Sequence, residues 1–238
     1  MLRKALNRDK LEKKDNFKWR SHEITRIEAF TDAVFAFAVT LLVVSLEVPN
    51  TYDELAHKMK GFFVFAVGFA LLMQIWYGQF VFFRRYGLQD LKTIILNLVL
   101  IFVVLFYVYP LKFVFNLILP GEGILSITAS QVKDLMVIYG IGFISIYVCF
   151  MLLYHHAYKQ STELSLTSKE VFDTKTKFYG NTIMSCIGLL SVATALVLPD
   201  RYSGLSGFVY ILISPALSIF FSKRGTKRKN LLTDQPLT

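Results

Sequence analysis

The sequence predicts an all-α membrane protein, with six transmembrane helices per subunit and both termini in the cytoplasm. Three observations lead there. First, the 238-residue chain is 54 % hydrophobic and only 18 % charged, with a mean hydropathy of +0.49. Soluble domains are nearer a quarter charged, and 22 Phe with 12 Tyr exclude a disordered chain. Second, apolar residues collect into six long stretches, each of about the 20 residues that cross a hydrocarbon core of ~30 Å. Third, the cations sort to alternate ends of those stretches.

In order, the stretches are 30–48, 61–83, 93–119, 135–158, 181–198 and 205–222. The first lies between Arg26 and Pro49, and the second ends at Arg84-Arg85. The third carries Pro110 and Lys112 near its far end and stops by Pro120-Gly121. The fourth runs into His155-His156, the fifth closes at Pro199-Asp200, and the sixth at Lys223-Arg224. They lack the alternation of lipid-facing strands. Backbone groups in lipid must be satisfied within the segment, so the stretches are helices.

With the N-terminus inside, 21 of the 26 Lys and Arg fall on the cytoplasmic side. Only Lys58, Lys60, Lys112, Lys133 and Arg201 fall outside. This split satisfies the positive-inside rule for an even number of helices. The net charge of +9 is therefore a topology signal and an attraction to anionic lipid headgroups, and nucleic acid is not an expected partner. Residues 1–25 read as a basic, solvated cytoplasmic segment, 26–222 as the transmembrane domain, and 223–238 as a basic cytoplasmic tail. The first apolar run starts too late and is too long for a cleaved signal, so no secretory signal is expected. Cys149 and Cys186 lie within spans without metal-ligand spacing and read as buried packing residues.

Helix one differs from the bland Leu/Ile/Val/Phe spans that follow. It carries Asp32 just inside the inner boundary, with Arg26 six residues before it. An ionisable group at that depth needs a partner or water. Trp76, Gln79 and Gln74 on the second helix and Asn97 on the third are available for interhelical hydrogen bonds. The residues admit two readings of Arg26 and Asp32: a structural polar clamp, or a site that handles ions. On the helical wheel Ala29, Ala33, Ala36 and Thr40 form a stripe of small side chains that admits a close neighbour. Phe37, Leu41 and Val44 form an adjacent apolar stripe, which taken alone is packing surface as readily as anything functional.

The segment Arg26-x-x-x-Phe30-Thr31-Asp32 resembles the Arg-x-x-x-Phe-Ser-Asp signature of the transmembrane protein 175 family, the lysosomal potassium channels and their six-helix prokaryotic relatives. Residues 33–43 look like that family's first pore helix, and Val48-Pro49 like its end. Trp76 and Asn97 resemble a family tryptophan and asparagine. The resemblance implies a homotetramer in the prokaryotic plasma (inner) membrane, with helix one lining a central pore for K⁺ and no cofactor. It places the constricting positions on Phe37, Leu41 and Val44, and a hydroxyl ring that helps favour potassium on Thr40. The sequence has no Thr-Val-Gly-Tyr-Gly loop, and the resemblance implies a hydrophobic constriction in place of a carbonyl filter. Thr31 departs from the family Ser but keeps the hydroxyl. Gln79 stands where relatives often carry His. Phe37 replaces an aliphatic residue and is expected to form the tightest constriction, with low conductance.

The alternative is a secondary carrier using Asp32 as a proton or cation site. It calls for an inverted repeat and broken helices, and only Pro110 and Pro215 hint at breaks. An assembly protein without ion flux is the third reading. An enzyme is disfavoured: adjacent His155 and His156 point about 100° apart on a helix and cannot share a metal, and they read as interfacial surface. No His-Glu-x-x-His or Gly-x-Ser-x-Gly is present.

Overall fold

The computed structural model describes residues 17–21, 23–44, 51–59, 62–118 and 128–233. Their elements are α1 (Arg26–Val44), α2 (Tyr52–Met59), α3 (Phe62–Tyr86), α4 (Leu91–Ile118), α5 (Ala129–Lys159), α6 (Ser168–Val197), a 3-10 helix (Asp200–Leu212) and α7 (Ile213–Thr233). Among the described residues, α3, α4, α5, α6 and the joined 3-10/α7 element each hold a stretch long and apolar enough to cross a membrane. The 19 residues of α1 span about 28 Å at the helical rise, close to one hydrocarbon thickness. The expected end of helix one at Val48-Pro49, most of segment 1–25, Pro120-Gly121 and the last residues of the tail lie outside the described residues.

Side-chain caps start four of the helices. Thr25 and Glu28 form a reciprocal pair at α1, Thr25 N donating to Glu28 Oε2 at 2.7 Å and Glu28 N to Thr25 Oγ1 at 3.3 Å. Thr128 with Gln131 opens α5 and Thr167 with Glu170 opens α6 in the same way. Such boxes satisfy two of the donors that a helix start leaves open. At α4 the cap is Asp90, whose carboxylate accepts from Thr93 Oγ1 at 2.6 Å.

Each packing face follows the three-and-four spacing of a helix. α1 buries Glu28, Thr31, Phe35, Ala38 and Leu42. α3 buries Leu72, Ile75, Gln79, Phe82, Phe83 and Tyr86, and α4 buries Thr93, Asn97, Leu100, Ile101, Val104 and Val108. α1 lies against α3 and α4, α5 against α4 and α6, and the 3-10 helix and α7 against α6. Two close approaches rest on glycine. A Cβ on Gly140 of α5 would run into Val192 of α6, and one on Gly142 would run into the Tyr107 ring of α4. With lipid outside, such small-residue contacts are what hold helices together.

One end of the bundle gathers residues 20–21, the ends of α3 and α5, the starts of α4 and α6, and the last turns of α7. Arg20 N and Ser21 N donate to the carbonyl of Arg84 at 3.1 and 3.4 Å, capping α3. Gly87 ends that helix at φ +60°, and a Cβ there would press on the backbone of Arg20 and Ser21 at 3.4 Å. Only glycine adopts this left-handed C′ position without strain. At the other end, Lys133 of α5 pairs with Asp200 of the 3-10 helix at 3.2 Å.

The structure differs from the sequence expectation in seven places. The segment before α1 is docked at its described part: Phe17 is 1 % exposed, with Arg85 4.8 Å over its ring. α6 begins at Ser168 instead of 181 because its capped, polar first turns extend past the apolar stretch. The sixth span is split. Its first half is 3-10, which eclipses residues three apart, so Ser203 and Ser206 both face inward and fully buried, and Ser191 Oγ donates to the Ser206 carbonyl at 2.9 Å. α7 then continues unbroken to Thr233, so residues 223–233 are helical. His156 is buried instead of interfacial, and Cys186 is exposed while Cys149 is buried. The short α2 was not among the expected elements.

Candidate functional site

α1 has two unlike faces. Its inward face is pinned by a chain of buried amides and hydroxyls crossing three helices. Gln79 Nε2 of α3 donates to Asn97 Oδ1 of α4 at 2.9 Å. Asn97 Nδ2 donates to Thr31 Oγ1 of α1 at 2.8 Å, and the Thr31 hydroxyl donates to the Ile27 carbonyl at 2.7 Å. Thr31, Gln79 and Asn97 are at most 2 % exposed. Next to this chain, Trp76 Nε1 of α3 donates to Asp32 Oδ1 of α1 at 2.8 Å, and the indole stacks on Phe80 at 5.7 Å. Two consecutive residues of α1 thus reach separate partners. The rotation of the helix is set as firmly as its position.

The outward face follows from that rotation. Arg26, Ala29, Phe30, Asp32, Ala33, Ala36, Phe37, Thr40 and Leu41 are exposed on the single chain. Phe37 is 56 % exposed, Phe30 53 % and Leu41 40 %. The Thr40 hydroxyl donates to the Ala36 carbonyl at 2.9 Å, leaving its oxygen lone pairs on this face. Val44 is the last residue of α1, and its side chain lies outside the described residues. The small stripe therefore shares one unburied side with Phe37 and Leu41 of the apolar stripe. Arg26 makes no ion pair or hydrogen bond with a described residue, Asp32 included. Gln74 is exposed and stands apart from the buried chain. Among the described residues no three His, Cys, Asp or Glu side chains converge as a metal site would need.

Residues 26–107 match the sequence profile of the family described as endosomal/lysosomal potassium channel TMEM175. A protein of Marivirga tractuosa named "Potassium channel" is 42 % identical over 234 residues, covering 92 % of this chain and 95 % of its own length. The chain belongs to the TMEM175 family. A variant of the potassium channel MtTMEM175, solved with a nanobody fusion, superposes with a TM-score of 0.78 at 41 % identity, covering 89 % of this chain and 97 % of that one. A TMEM175 homologue from Chamaesiphon minutus shares the fold at a TM-score of 0.55 and 22 % identity, over 84 % of this chain and 96 % of that one. A Streptomyces collinus relative named as a potassium channel is 28 % identical over 95 residues, 37 % of this chain and 46 % of its own.

As a TMEM175 member with several membrane-spanning helices, the chain is an integral membrane protein. The match over 26–107 spans α1, α3 and most of α4, the three helices that carry the polar chain. Two polar contacts that reach beyond this region escape sequence reasoning. His156 Nε2 of α5 sits 2.8 Å from Asp90 Oδ2. Arg20 reaches both oxygens of Glu170 at 3.2 and 2.8 Å and the Leu164 carbonyl at 2.8 Å. Nothing local to Asp90 points to a histidine 66 residues away.

Proposed function

We propose that this TMEM175 member is a potassium-permeable channel of the prokaryotic plasma (inner) membrane. Four copies surround a central pore lined by α1, with six spans per subunit and both termini cytoplasmic. The observation that carries the reading is the unburied face of α1: Phe37, Thr40 and Leu41 project away from the subunit's own core. A face so apolar is left open only where lipid or another copy covers it. The Ala29, Ala33 and Ala36 stripe admits close approach of a neighbouring helix. The names of the relatives give the permeant ion its identity.

In this reading Phe37, Leu41 and Val44 form successive hydrophobic rings, with Phe37 the tightest and the Thr40 oxygens between. A ring that narrows below a few ångströms dewets, and ions cannot pass without losing hydration. K⁺ sheds water at lower cost than Na⁺, so it is favoured without a carbonyl filter. Arg26, Phe30, Thr31, Asp32, Trp76, Gln79 and Asn97 act as the motif and anchor that hold α1 in register. Residues 26–222 form the conducting unit, and 1–25 and 223–238 are its basic cytoplasmic extensions.

The test is flux into liposomes bearing the purified protein, with K⁺ or Na⁺ as the permeant ion. K⁺ flux above Na⁺ flux, raised by Phe37→Ala and altered by Leu41→Asn, is the expected result. Folded protein without flux, or flux indifferent to both substitutions, overturns the pore assignment.

A further inference from the structure

We propose that Arg224 binds the phosphate of an anionic phospholipid in the groove between α6 and α7. The Arg224 guanidinium lies over three rings, 4.9 Å from Phe172 and 5.2 Å from Tyr179 on α6, and 5.6 Å from Phe220 on α7. The rings hold its plane by cation–π attraction and accept none of its hydrogen bonds. A guanidinium carries five N–H donors, and among the described residues Arg224 has neither an ion pair nor a hydrogen bond. Arg228, one turn later, is different: it meets Asp173 at 2.7 Å. That pair consumes the local acid. Asp173 is the one carboxylate on α6 after Glu170, and Ile213–Thr233 contains none. Lys175, Lys177 and Lys227 add to the positive field around Arg224.

The depth fits a headgroup. On α7 the apolar run ends at Phe221 and the cations begin at Lys223. Tyr179 is 45 % and Phe221 40 % exposed, and Lys177 lies 5.7 Å over the Phe221 ring. Exposed aromatics beside cations mark the plane where acyl chains give way to phosphates. A fork pre-set on aromatic faces suits a phosphate, which takes two parallel N–H bonds. The surrounding lysines favour a lipid with net negative charge over one whose phosphate is balanced by choline.

The experiment follows thermal unfolding of the purified protein in neutral detergent with added phosphatidylglycerol, phosphatidylcholine or inorganic phosphate. Phosphatidylglycerol alone should raise the midpoint. Arg224→Gln should weaken its apparent affinity about tenfold or more, the scale of one lost charge-assisted pair. Lys223→Gln, which removes the same charge from an exposed neighbour, should leave most of the effect. If Arg224→Gln does not fold, Arg224→Lys is read in its place, since it keeps the charge and loses the fork. Equal losses from both positions mean diffuse charge, and an equal midpoint shift from phosphatidylcholine or free phosphate means another ligand. Either outcome, or an unaffected arginine variant, overturns the proposal.

Discussion

Asn97 of α4 donates to the hydroxyl of Thr31 on α1 at 2.8 Å, and both side chains are fully buried. Thr31 lies on the opposite side of α1 from Ala33, Phe37 and Thr40, so this bond decides which residues of α1 turn outward. Packing alone would tolerate a sliding or rotated helix. A buried amide with two partners does not, because rotation leaves polar atoms unpaired.

Asn97→Leu should therefore destabilise the folded protein by about 1–2 kcal/mol, at the upper range for interhelical hydrogen bonds in membranes. Gln79→Leu should cost less, because Asn97 keeps its bond to Thr31. The double substitution should cost less than the sum, since each single change strands the other's partner. Thermal unfolding of the four proteins in one detergent measures this, and strict additivity contradicts a shared network.

Arg20→Ala should cost about 3 kcal/mol, the scale for stripping one partner from a buried ion pair. The Glu170 side chain is 4 % exposed and also accepts from the backbone N–H groups of Lys18 and Thr167. Limited proteolysis should then cut near residue 20 faster than in the parent protein. Glu170→Gln, which keeps a hydrogen-bonding side chain, should release the segment less.

Acid should weaken the junction of α4 and α5. Burial pushes the Asp90 carboxyl upward, but hydrogen bonds from Thr93 and His156 outweigh it and hold the group below its ordinary value of 3.8. A carboxyl depressed on folding contributes stability that is complete above its unfolded pKa and is lost as pH falls through the folded one. The unfolding midpoint should thus decline below about pH 4, and Asp90→Asn should lower the plateau while flattening that decline. A parallel acid limb in the variant would contradict the assignment.

Two glycines should respond oppositely to alanine. Gly140→Ala places a methyl against Val192 and should destabilise by about 1–3 kcal/mol through overpacking. Gly225 lies within α7 with nothing within 4 Å of an added Cβ. Gly225→Ala should therefore gain up to about 1 kcal/mol of helix propensity. Paired unfolding midpoints check both signs.

The long spans were legible because apolar run length is a strong local signal. Phe62–Tyr86 and Leu91–Ile118 lie close to the stretches 61–83 and 93–119. Hydropathy misjudged helices that outrun the membrane, as α6 does through its Thr167–Glu170 cap. It also saw no difference between 3-10 and α geometry over Asp200–Leu212, where paired small residues three apart allow the tighter coil. On α1 the two stripes were readable from spacing, but their exposure depends on Asn97 and Trp76, residues 66 and 44 positions away from their partners. Phe17 and His156 were misplaced for the same reason: what buries them is far off in sequence.

The docking of the N-terminal segment sets an order on biogenesis. Arg20 is synthesised 150 residues before the carboxylate that receives it. Until α6 emerges, the Arg20 guanidinium has no carboxylate to receive it, although Phe17 already lies against Tyr86 and Arg85 of α3 and the backbone N–H groups of Arg20 and Ser21 already close that helix. The ion pair of this early segment is thus among the last contacts to form. Its formation reports that α6 has begun to pack, so protection of this segment from protease times the completion of the subunit.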